Sequence, residues 1–434
     1  MDRLYKIYCY WRIHGYRAVL NIVFRKLSNN RSGHAPLAQD AIAENGRSEN
    51  VAGKLEARFQ SLSALRTYTL PDFDMRRINI VTDSIGAGSL FGGVGTALIF
   101  ASLLANELNV GLRIITRTER GLAKNFENLL KLYKIELKNE VQFLFAAFYD
   151  SKYEMDVGRN DIFLTTSWWT TAATLLSVPS DKIIYILQED ERMFYPYGDD
   201  RYKCENILNN SDIRFVINTK LLYDHFVQEG FDNIERNGDW FEPAFPSYIY
   251  YPRIDSNKVK KKFFFYARPN NPRNLFYLGL QVIERVVQLN IIDLREWDIY
   301  LVGKDIPIVT FDGGYSPVRK ENLNWSDYAE LLGSIDLGLS LMYTPHPSYP
   351  PLDLAASGAV VVTNRHKGKS DLSEYSKNIL CSDLNLMSLV DSIKNGVSVV
   401  EDKSTCDNNF KNNGLSSDWN ISLGKLILKF AEEK

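Results

Sequence analysis

Cysteine is scarce in this chain of 434 residues, and long apolar runs are missing. The four cysteines, Cys9, Cys204, Cys381 and Cys406, lie far apart and form no CxxC pair. This spacing argues against a structural zinc site and against a disulfide framework, and it fits a reducing cytoplasm. No apolar run reaches the roughly 18 residues of a membrane span, and the N-terminus lacks the pattern of a signal peptide.

The chain also has no excess of positive charge. Its net charge is −2, so nothing attracts it as a whole to nucleic acid, and we expect no nucleic-acid partner. Hydrophobic residues make up 45% and charged residues 24%, as in ordinary globular proteins, and the length suits two domains. Aromatic residues reach 12%, which fits either stacking on flat ligands or larger cores.

The N-terminal 33 residues differ from the rest. They carry seven Lys or Arg against one acid, which leaves a net charge of +6, interleaved with six aromatic residues. Apolar residues fall on one helical stripe, so a basic aromatic helix is predicted, lying on an anionic membrane or docked on protein. Residues 28–53 are polar and predict a flexible linker, so that residues 1–76 form an extension. The protein would then be cytoplasmic, with peripheral contact at the inner face of the membrane.

From residue 77 the pattern alternates between apolar strands and helices, which predicts a doubly wound parallel sheet over 77–250. Prolines and a lysine-rich stretch interrupt it between 232 and 260. It restarts over 261–405, and a last helix over 416–434 could pack on either half. Two such α/β units would bind a ligand between the carboxyl ends of their strands. The predicted strands are 78–83, 112–116, 141–146, 162–166, 183–187, 214–218, 263–267, 297–302, 337–341 and 359–363.

A glycine-rich segment, residues 84–96, follows the first predicted strand. Its glycines let the backbone approach a ligand, and the helix that follows points N–H groups at an anion. A tight turn alone would also explain them. The dinucleotide fingerprint is broken, since Leu98 stands where a third small residue belongs, and a nicotinamide oxidoreductase is disfavoured.

Two other segments carry candidate chemistry. Arg268 and Arg273 flank a proline-containing turn after strand 263–267, where both guanidinium groups can converge on a leaving diphosphate. In the segment 347–364, Asp353 lies inside a short helix before a buried strand. Its carboxylate could accept hydrogen bonds from ribose hydroxyls, or could simply favour the first turn of the helix.

These three segments, in this order, resemble the retaining glycosyltransferases of GT-B fold in the large fourth family. Within that family, residues 188–195, 265–269 and 272–279 are similar to the WsaF-type rhamnosyltransferases. The resemblance covers about residues 77–400. It implies an α/β fold of two Rossmann-like domains that face each other across a cleft.

The resemblance also assigns donor contacts. Arg268 and Arg273 match the pair that binds the donor diphosphate, and Asp353 matches the glutamate that binds ribose. The loop under the donor phosphates corresponds to Gly92, Gly93 and Gly95. Lys304 is placed like the residues beside the nucleotide base, although a solvated lysine is an equal alternative.

Gln188, Glu189, Glu191 and His346 are expected on the acceptor and sugar side, with Glu191 or Glu189 orienting the acceptor. The sequence departs from the larger family here. Pro345 stands where the first sugar-binding glutamate is expected, and Gln188 and Glu189 replace a usual histidine. These departures fit a donor sugar other than glucose, such as a 6-deoxy sugar.

The resulting expectation is a glycosyltransferase that moves L-rhamnose from dTDP-L-rhamnose, with retention, onto a bacterial surface glycan, which could be lipid-linked. Neither metal nor cofactor is expected, because two arginines and a helix N-terminus can neutralise the diphosphate and no DxD motif appears. Two alternatives remain open. One is a nucleotide-sugar-binding protein without catalysis, and the other is a nucleotide-sugar epimerase.

Overall fold

The computed structural model describes residues 50–70, 76–86, 90, 92–150, 152–253 and 259–432. The predicted basic helix of residues 1–33 lies outside the described residues. The chain divides into two compact units, Met1–Ser63 and Ala64–Lys434. In the first, helix α1 spans Val51–Arg58 and is capped by Asn50, whose side chain accepts a hydrogen bond from the Ala52 amide at 2.7 Å. The predicted linker region up to residue 76 therefore contains helix α1 and, in the second unit, a strand.

The first α/β domain contains a seven-stranded parallel sheet in the order β4-β3-β2-β6-β7-β8-β9. Strand β2 is buried along its whole length, as expected of a central strand covered by helices on both faces. The order reverses direction between β2 and β6, which places a topological switch point at the carboxyl ends of these two strands. The strands are β1 Thr67–Leu70, β2 Arg77–Thr82, β3 Gly111–Thr116, β4 Val141–Phe145, β5 Met155–Gly158, β6 Ile162–Thr165, β7 Ile183–Leu187, β8 Arg214–Asn218 and β9 Gly238–Phe241, with β1 and β5 forming a separate parallel pair.

Helices connect these strands on both faces of the sheet. Helix α2 is apolar almost throughout and is buried from Gly95 to Ala105, so it packs as a core element. The N-terminal turn of α4 is closed by a capping box between Ser167 and Thr170. The helices are α2 Gly93–Leu108, α3 Ala123–Leu132, α4 Trp168–Leu175, α5 Asp199–Leu208, α6 Lys220–Gln228 and α7 Asp232–Asn237.

The second α/β domain contains a six-stranded parallel sheet in the order β12-β11-β10-β13-β14-β15, with its switch point between β10 and β13. Its core includes the buried phenylalanines of β10 packed against α8. The elements are β10 Lys261–Ala267, α8 Phe276–Gln288, β11 Trp297–Gly303, β12 Val318–Glu321, α9 Trp325–Leu332, β13 Leu337–Leu339, α10 Tyr349–Ala356, β14 Val360–Asn364, β15 Ile379–Ser382, α11 Leu386–Glu401 and α12 Lys403–Lys411.

The last helix, α13 (Trp419–Glu432), returns to the first domain. Phe430 packs edge-on against Phe100 of α2, with ring centroids 6.1 Å apart. Lys429 forms an ion pair with Asp239 of β9 at 2.7 Å. The question that the sequence left open is thereby decided: the C-terminal helix follows the second domain in sequence but packs on the first.

Candidate active site in the interdomain cleft

Loops at the carboxyl ends of the two sheets meet in the cleft between the domains. The loop after β7 carries Glu189, and the turn after β10 carries Arg273, and these side chains form an ion pair of 2.8 Å. The helix that follows β13 carries Tyr349, which reaches the first turn of α2. The site predicted from the topology is therefore the place where the two domains contact each other.

The glycine loop meets the N-terminus of α2. Gly92 is the N-cap of this helix and has a φ of 73°, a conformation that side chains rarely tolerate. A Cβ at Gly95 would lie 2.4 Å from the carbonyl oxygen of Leu90. Gln188, predicted on the acceptor side, donates a hydrogen bond from its side-chain amide to the carbonyl oxygen of Gly93. Gln188 therefore connects the glycine loop to the end of β7.

Tyr349 joins the two domains at this loop. Its hydroxyl shares a hydrogen bond of 2.5 Å with Thr96 and accepts one of 2.9 Å from the side chain of Asn218. Its ring lies 3.6 Å from the position that a Cβ of Gly92 would occupy. A small cavity opens beside this contact, and its lining includes Gly92, Gly95, Thr96, Tyr133, Tyr250 and Tyr349.

Arg273 is held on three sides. Its guanidinium donates to Glu189 and lies 4.3 Å from the ring centre of Phe194. Its backbone carbonyl accepts a hydrogen bond of 2.7 Å from the Tyr343 amide. The other carboxylate oxygen of Glu189 accepts a hydrogen bond from the Thr344 hydroxyl. Burial raises the pKa of Glu189, while Arg273 and Thr344 act in the opposite direction.

Arg268 lies one residue beyond β10, at the same sheet edge as Arg273. Its guanidinium is half-buried and makes no hydrogen bond or ion pair within the described parts of the chain, and its aliphatic stem packs beside Gly303. Lys304 follows β11, the neighbouring strand, and its amide donates to the carbonyl of Ala267 at 3.3 Å. Its side chain is exposed. The two predicted donor contacts, Arg268 and Lys304, are thus neighbours.

Glu191 was expected in the cleft, but the structure places it elsewhere. It is 4% exposed, and its carboxyl accepts a hydrogen bond of 2.7 Å from the Trp168 amide at the start of α4. Burial raises the pKa of Glu191 to about 8, although the bond from Trp168 opposes this shift. The Glu191 carboxyl thus accepts from the first N–H of α4, and Glu189, two residues earlier, is the carboxylate that faces Arg273.

Asp353 is likewise buried, with 4% of its surface exposed. The Tyr328 hydroxyl donates to its carboxyl at 3.4 Å. Burial raises the pKa of Asp353 to about 8, and the phenols of Tyr250 and Tyr328 counteract part of the shift. The predicted ribose contact therefore faces the phenol groups of Tyr250 and Tyr328 in this structure, because the short helix α10 turns this position into the core.

His346 is buried near Arg273. Its Nδ1 accepts a hydrogen bond of 2.9 Å from the Ser348 amide, and its Nε2 has no partner in the described structure. Burial, helped by the charges of Lys369 and Arg273, lowers the pKa of His346 to about 3. The imidazole is therefore neutral, and because Nδ1 is an acceptor, Nε2 carries the proton and offers an unused donor.

Several cleft residues escaped the sequence analysis. Thr344, Tyr349 and Asn218 form hydrogen bonds between the domains, and Lys369 is wholly buried nearby. Tyr349 lies inside a segment that was singled out, but its partners belong to the other domain, more than 100 residues away. No local sequence pattern predicts contacts between residues so far apart. The one available signal was their position after predicted strands.

The assembled site can stabilise an anion. The first-turn amides of α2 and the guanidinium groups of Arg273 and Arg268 belong to the facing edges of the two sheets. Within the described residues, no group of three or more His, Cys, Asp or Glu side chains is placed to hold a metal ion. Across the same residues, no helix is both long and apolar enough to cross a membrane.

Comparison with known proteins identifies the family of both α/β domains. The family model for the N-terminal domain of WsaF matches residues 77–220, and that for its C-terminal domain matches residues 261–394. The O-antigen biosynthesis protein RfbC of Myxococcus xanthus is 30% identical over 247 residues, which is 54% of this chain and 18% of the relative. The chain thus spans less than a fifth of that curated relative.

Solved structures share the architecture. HepE of Anabaena, in complex with UDP-glucose, aligns with a TM-score of 0.56 at 13% identity, covering 82% of this chain and all of the other. WaaG, a glycosyltransferase involved in lipopolysaccharide biosynthesis, aligns with a TM-score of 0.53 at 11% identity over 83% of this chain and 99% of WaaG. At these identities the likeness establishes the fold.

Both WsaF domain models match in chain order, each on one of the two parallel sheets whose carboxyl ends form the cleft. The chain belongs to the WsaF family of glycosyltransferases and has the GT-B fold.

Proposed function

We propose that this protein transfers L-rhamnose from dTDP-L-rhamnose to a bacterial surface glycan with retention of anomeric configuration. The observation that carries the proposal is the ion pair of 2.8 Å between Arg273 and Glu189, because the adjacent Gln188 contacts the first turn of α2 and Arg268 lies at the same sheet edge as Arg273. A nucleotide diphosphate is the anion that suits two guanidinium groups and a helix N-terminus. HepE, which has the same fold, is known in complex with UDP-glucose.

The cleft arginines would act on the leaving group. As the bond between sugar C1 and the β-phosphate oxygen breaks, its electron pair moves onto that oxygen, where the guanidinium charge of Arg273 and Arg268 stabilises it. The acceptor hydroxyl attacks C1 from the face that the phosphate leaves, and its proton passes to the departing phosphate. Interactions that strengthen as charge develops accelerate the reaction more than they tighten binding.

Glu189 is the carboxylate that we assign to the acceptor. Its carboxylate accepts hydrogen bonds from Arg273 and Thr344. A diphosphate that binds Arg273 competes with this carboxylate, and Glu189 would then be released to orient the acceptor hydroxyl. Glu191 does not take this role in the proposal, because its carboxyl serves the N-terminus of α4.

The choice of dTDP-L-rhamnose rests on the family and on two residues. Pro345 leaves no carboxylate for one of the sugar hydroxyls, which suits a 6-deoxy sugar. Asp353 is one methylene shorter than glutamate, and it would reach the single free hydroxyl of a deoxyribose after a local change at its phenol contacts. The names of RfbC and WaaG suggest O-antigen or lipopolysaccharide as the acceptor.

The test combines binding with transfer. The temperature of thermal unfolding should rise more with dTDP than with UDP at equal concentration, because ligands stabilise the native state according to their affinity. Labelled dTDP-L-rhamnose should then transfer its sugar to lipid-linked glycan in membranes of a strain with a rhamnose-containing surface polysaccharide. Binding without transfer would instead identify a nucleotide-sugar-binding protein, and a new sugar nucleotide formed without acceptor would identify an epimerase. A clear preference for UDP would contradict the dTDP assignment.

A further inference from the structure

A buried lysine lies next to the cleft and belongs to none of the motifs. Lys369 ends a tight turn after β14, in which the backbones of His366 and Lys369 exchange two hydrogen bonds of 2.9 Å. Its side chain has no exposed surface. Its ammonium donates one hydrogen bond, of 3.1 Å, to the carbonyl oxygen of Met342, and forms no ion pair within the described residues. An ammonium has three donors, so two remain unused.

The carbonyl of Met342 does not need this lysine. Asn364 already holds the same loop residue at both ends, since its Oδ1 accepts from the Met342 amide at 2.7 Å and its Nδ2 donates to the Met342 carbonyl at 3.1 Å. Burying an unpaired charge costs free energy of folding. A lysine is therefore a poor way to stabilise a loop that the Asn364 amide already stabilises. Structural anchoring therefore does not account for a cation at this position.

The surroundings of Lys369 indicate an anion instead. Burial lowers the pKa of Lys369 to about 8, while the charge of Glu189 opposes the shift. Met342, which Lys369 contacts, is followed by Tyr343 and Thr344, which bond to Arg273 and Glu189, so Lys369 lies beside that ion pair. The unpartnered Nε2–H of His346 is a further buried donor there. Glu189, whose charge acts on Lys369, is itself bound to Arg273 and Thr344.

We propose that Lys369 is a substrate-binding residue that contacts the diphosphate of the donor, together with the Nε2–H of His346. The inference rests on the proposed function and adds a cation to the arginine pair. Lys369 and Asn364 donate to the same carbonyl, that of Met342. When the diphosphate binds, the unused donors of the ammonium and the imidazole N–H gain an acceptor.

The decisive experiment compares dTDP with dTMP. Wild-type protein and the full-length variant Lys369→Met are titrated with each nucleotide by calorimetry. We expect the variant to bind dTDP about 10- to 100-fold more weakly, the range for loss of a charge-assisted contact, and dTMP nearly normally. Lys377→Met, an exposed lysine eight residues later, removes the same charge and serves as the matched control.

Stability separates this role from a structural one. Lys369→Met should unfold at the same or a higher temperature than wild type without ligand, because an unpaired buried charge is replaced by an apolar side chain. Lys369→Gln keeps a donor for Met342 and should lose the preference for dTDP equally. Unchanged discrimination between dTDP and dTMP in both variants would overturn the inference, as would a lowered unfolding temperature with equal loss of both nucleotides. Wild-type protein that binds no nucleoside diphosphate would contradict the proposed function itself.

Discussion

At the scale of single residues, the proposed chemistry depends most directly on Arg273 and Arg268. Replacing Arg273 or Arg268 by alanine should lower kcat by at least about a hundredfold, on the scale of losing one oxyanion donor. Lysine at either position should restore only part of the rate, because it lacks the planar fork. Initial transfer rates at saturating donor measure the effect. Arg295→Ala is the matched control, since this arginine is exposed and pairs with Asp293 on the surface. Near-normal rates in both cleft variants would place the diphosphate elsewhere.

The ion pair across the cleft makes a separate prediction for Glu189. Glu189→Gln removes the anion that competes for Arg273, so dTDP affinity should stay equal or increase. Transfer should fall by more than about tenfold, because an acceptor-orienting carboxylate contributes on the order of 10² to 10⁴ in rate. Calorimetry with dTDP and steady-state transfer rates separate the two effects. Weaker dTDP binding would assign Glu189 to the donor instead.

Glu191 makes a prediction about stability and pH. Its folded pKa, about 8, lies above its unfolded value, so between the two the folded state holds a proton that the unfolded state has lost. Stability from this group is therefore full below the unfolded pKa and falls as pH rises toward 8. Glu191→Gln removes this dependence. The variant should gain stability relative to wild type between pH 5 and pH 8, as measured by urea unfolding. A constant difference over that range would contradict the assigned burial.

At the scale of elements, Tyr349 joins α10 to α2 and β8. Tyr349→Phe deletes one hydroxyl and leaves the buried side chains of Thr96 and Asn218 without that partner. We expect a loss of about 1–3 kcal/mol in the free energy of unfolding, the usual cost of leaving a buried polar group unsatisfied. Tyr277→Phe is the control, because Tyr277 is 73% exposed on α8. Equal urea midpoints for the two variants would show that the hydroxyl contacts of Tyr349 contribute nothing to the free energy of unfolding.

The elements that the sequence predicted share one property. Strands such as β7 and β8 appear at the predicted bounds, because a central strand of a parallel sheet is apolar on both faces. Strands β1, β5, β9, β12 and β15 were missed. Strand β12 lies at a sheet edge and is mostly exposed, with the sequence Val-Arg-Lys-Glu, so its composition does not distinguish it from a loop.

At the scale of the whole molecule, the basic N-terminal segment keeps its prediction of membrane contact. Replacing the seven Lys and Arg of residues 1–33 by Gln removes the net charge of +6. The wild-type chain should bind phosphatidylserine vesicles at low salt, and the variant should not, because each basic residue near an anionic surface contributes about 1 kcal/mol. Vesicle sedimentation at low and high salt measures this. Binding that survives the replacement would remove the electrostatic explanation.

The docking of α13 shows why the domains could not be delimited from sequence. The helix was predicted over residues 416–434 and spans Trp419–Glu432, but the sequence does not indicate which domain its apolar face packs on. Phe430 meets Phe100 and Trp419 meets Phe241 only because the chain crosses back to the first domain. Such contacts join residues that are hundreds of positions apart.

Local composition by itself determined two parallel α/β units, the position of the glycine loop and the arginine turn, since burial and backbone geometry leave traces in neighbouring residues. The tertiary structure alone decided which carboxylate faces the arginine. Glu189 and Glu191 are two residues apart and chemically alike, yet one reaches Arg273 and the other the N-terminus of α4. It also placed Lys369 beside the cleft and turned Asp353 toward Tyr328. The direction of a side chain after a strand depends on what packs against it, and that partner lies far away in the sequence.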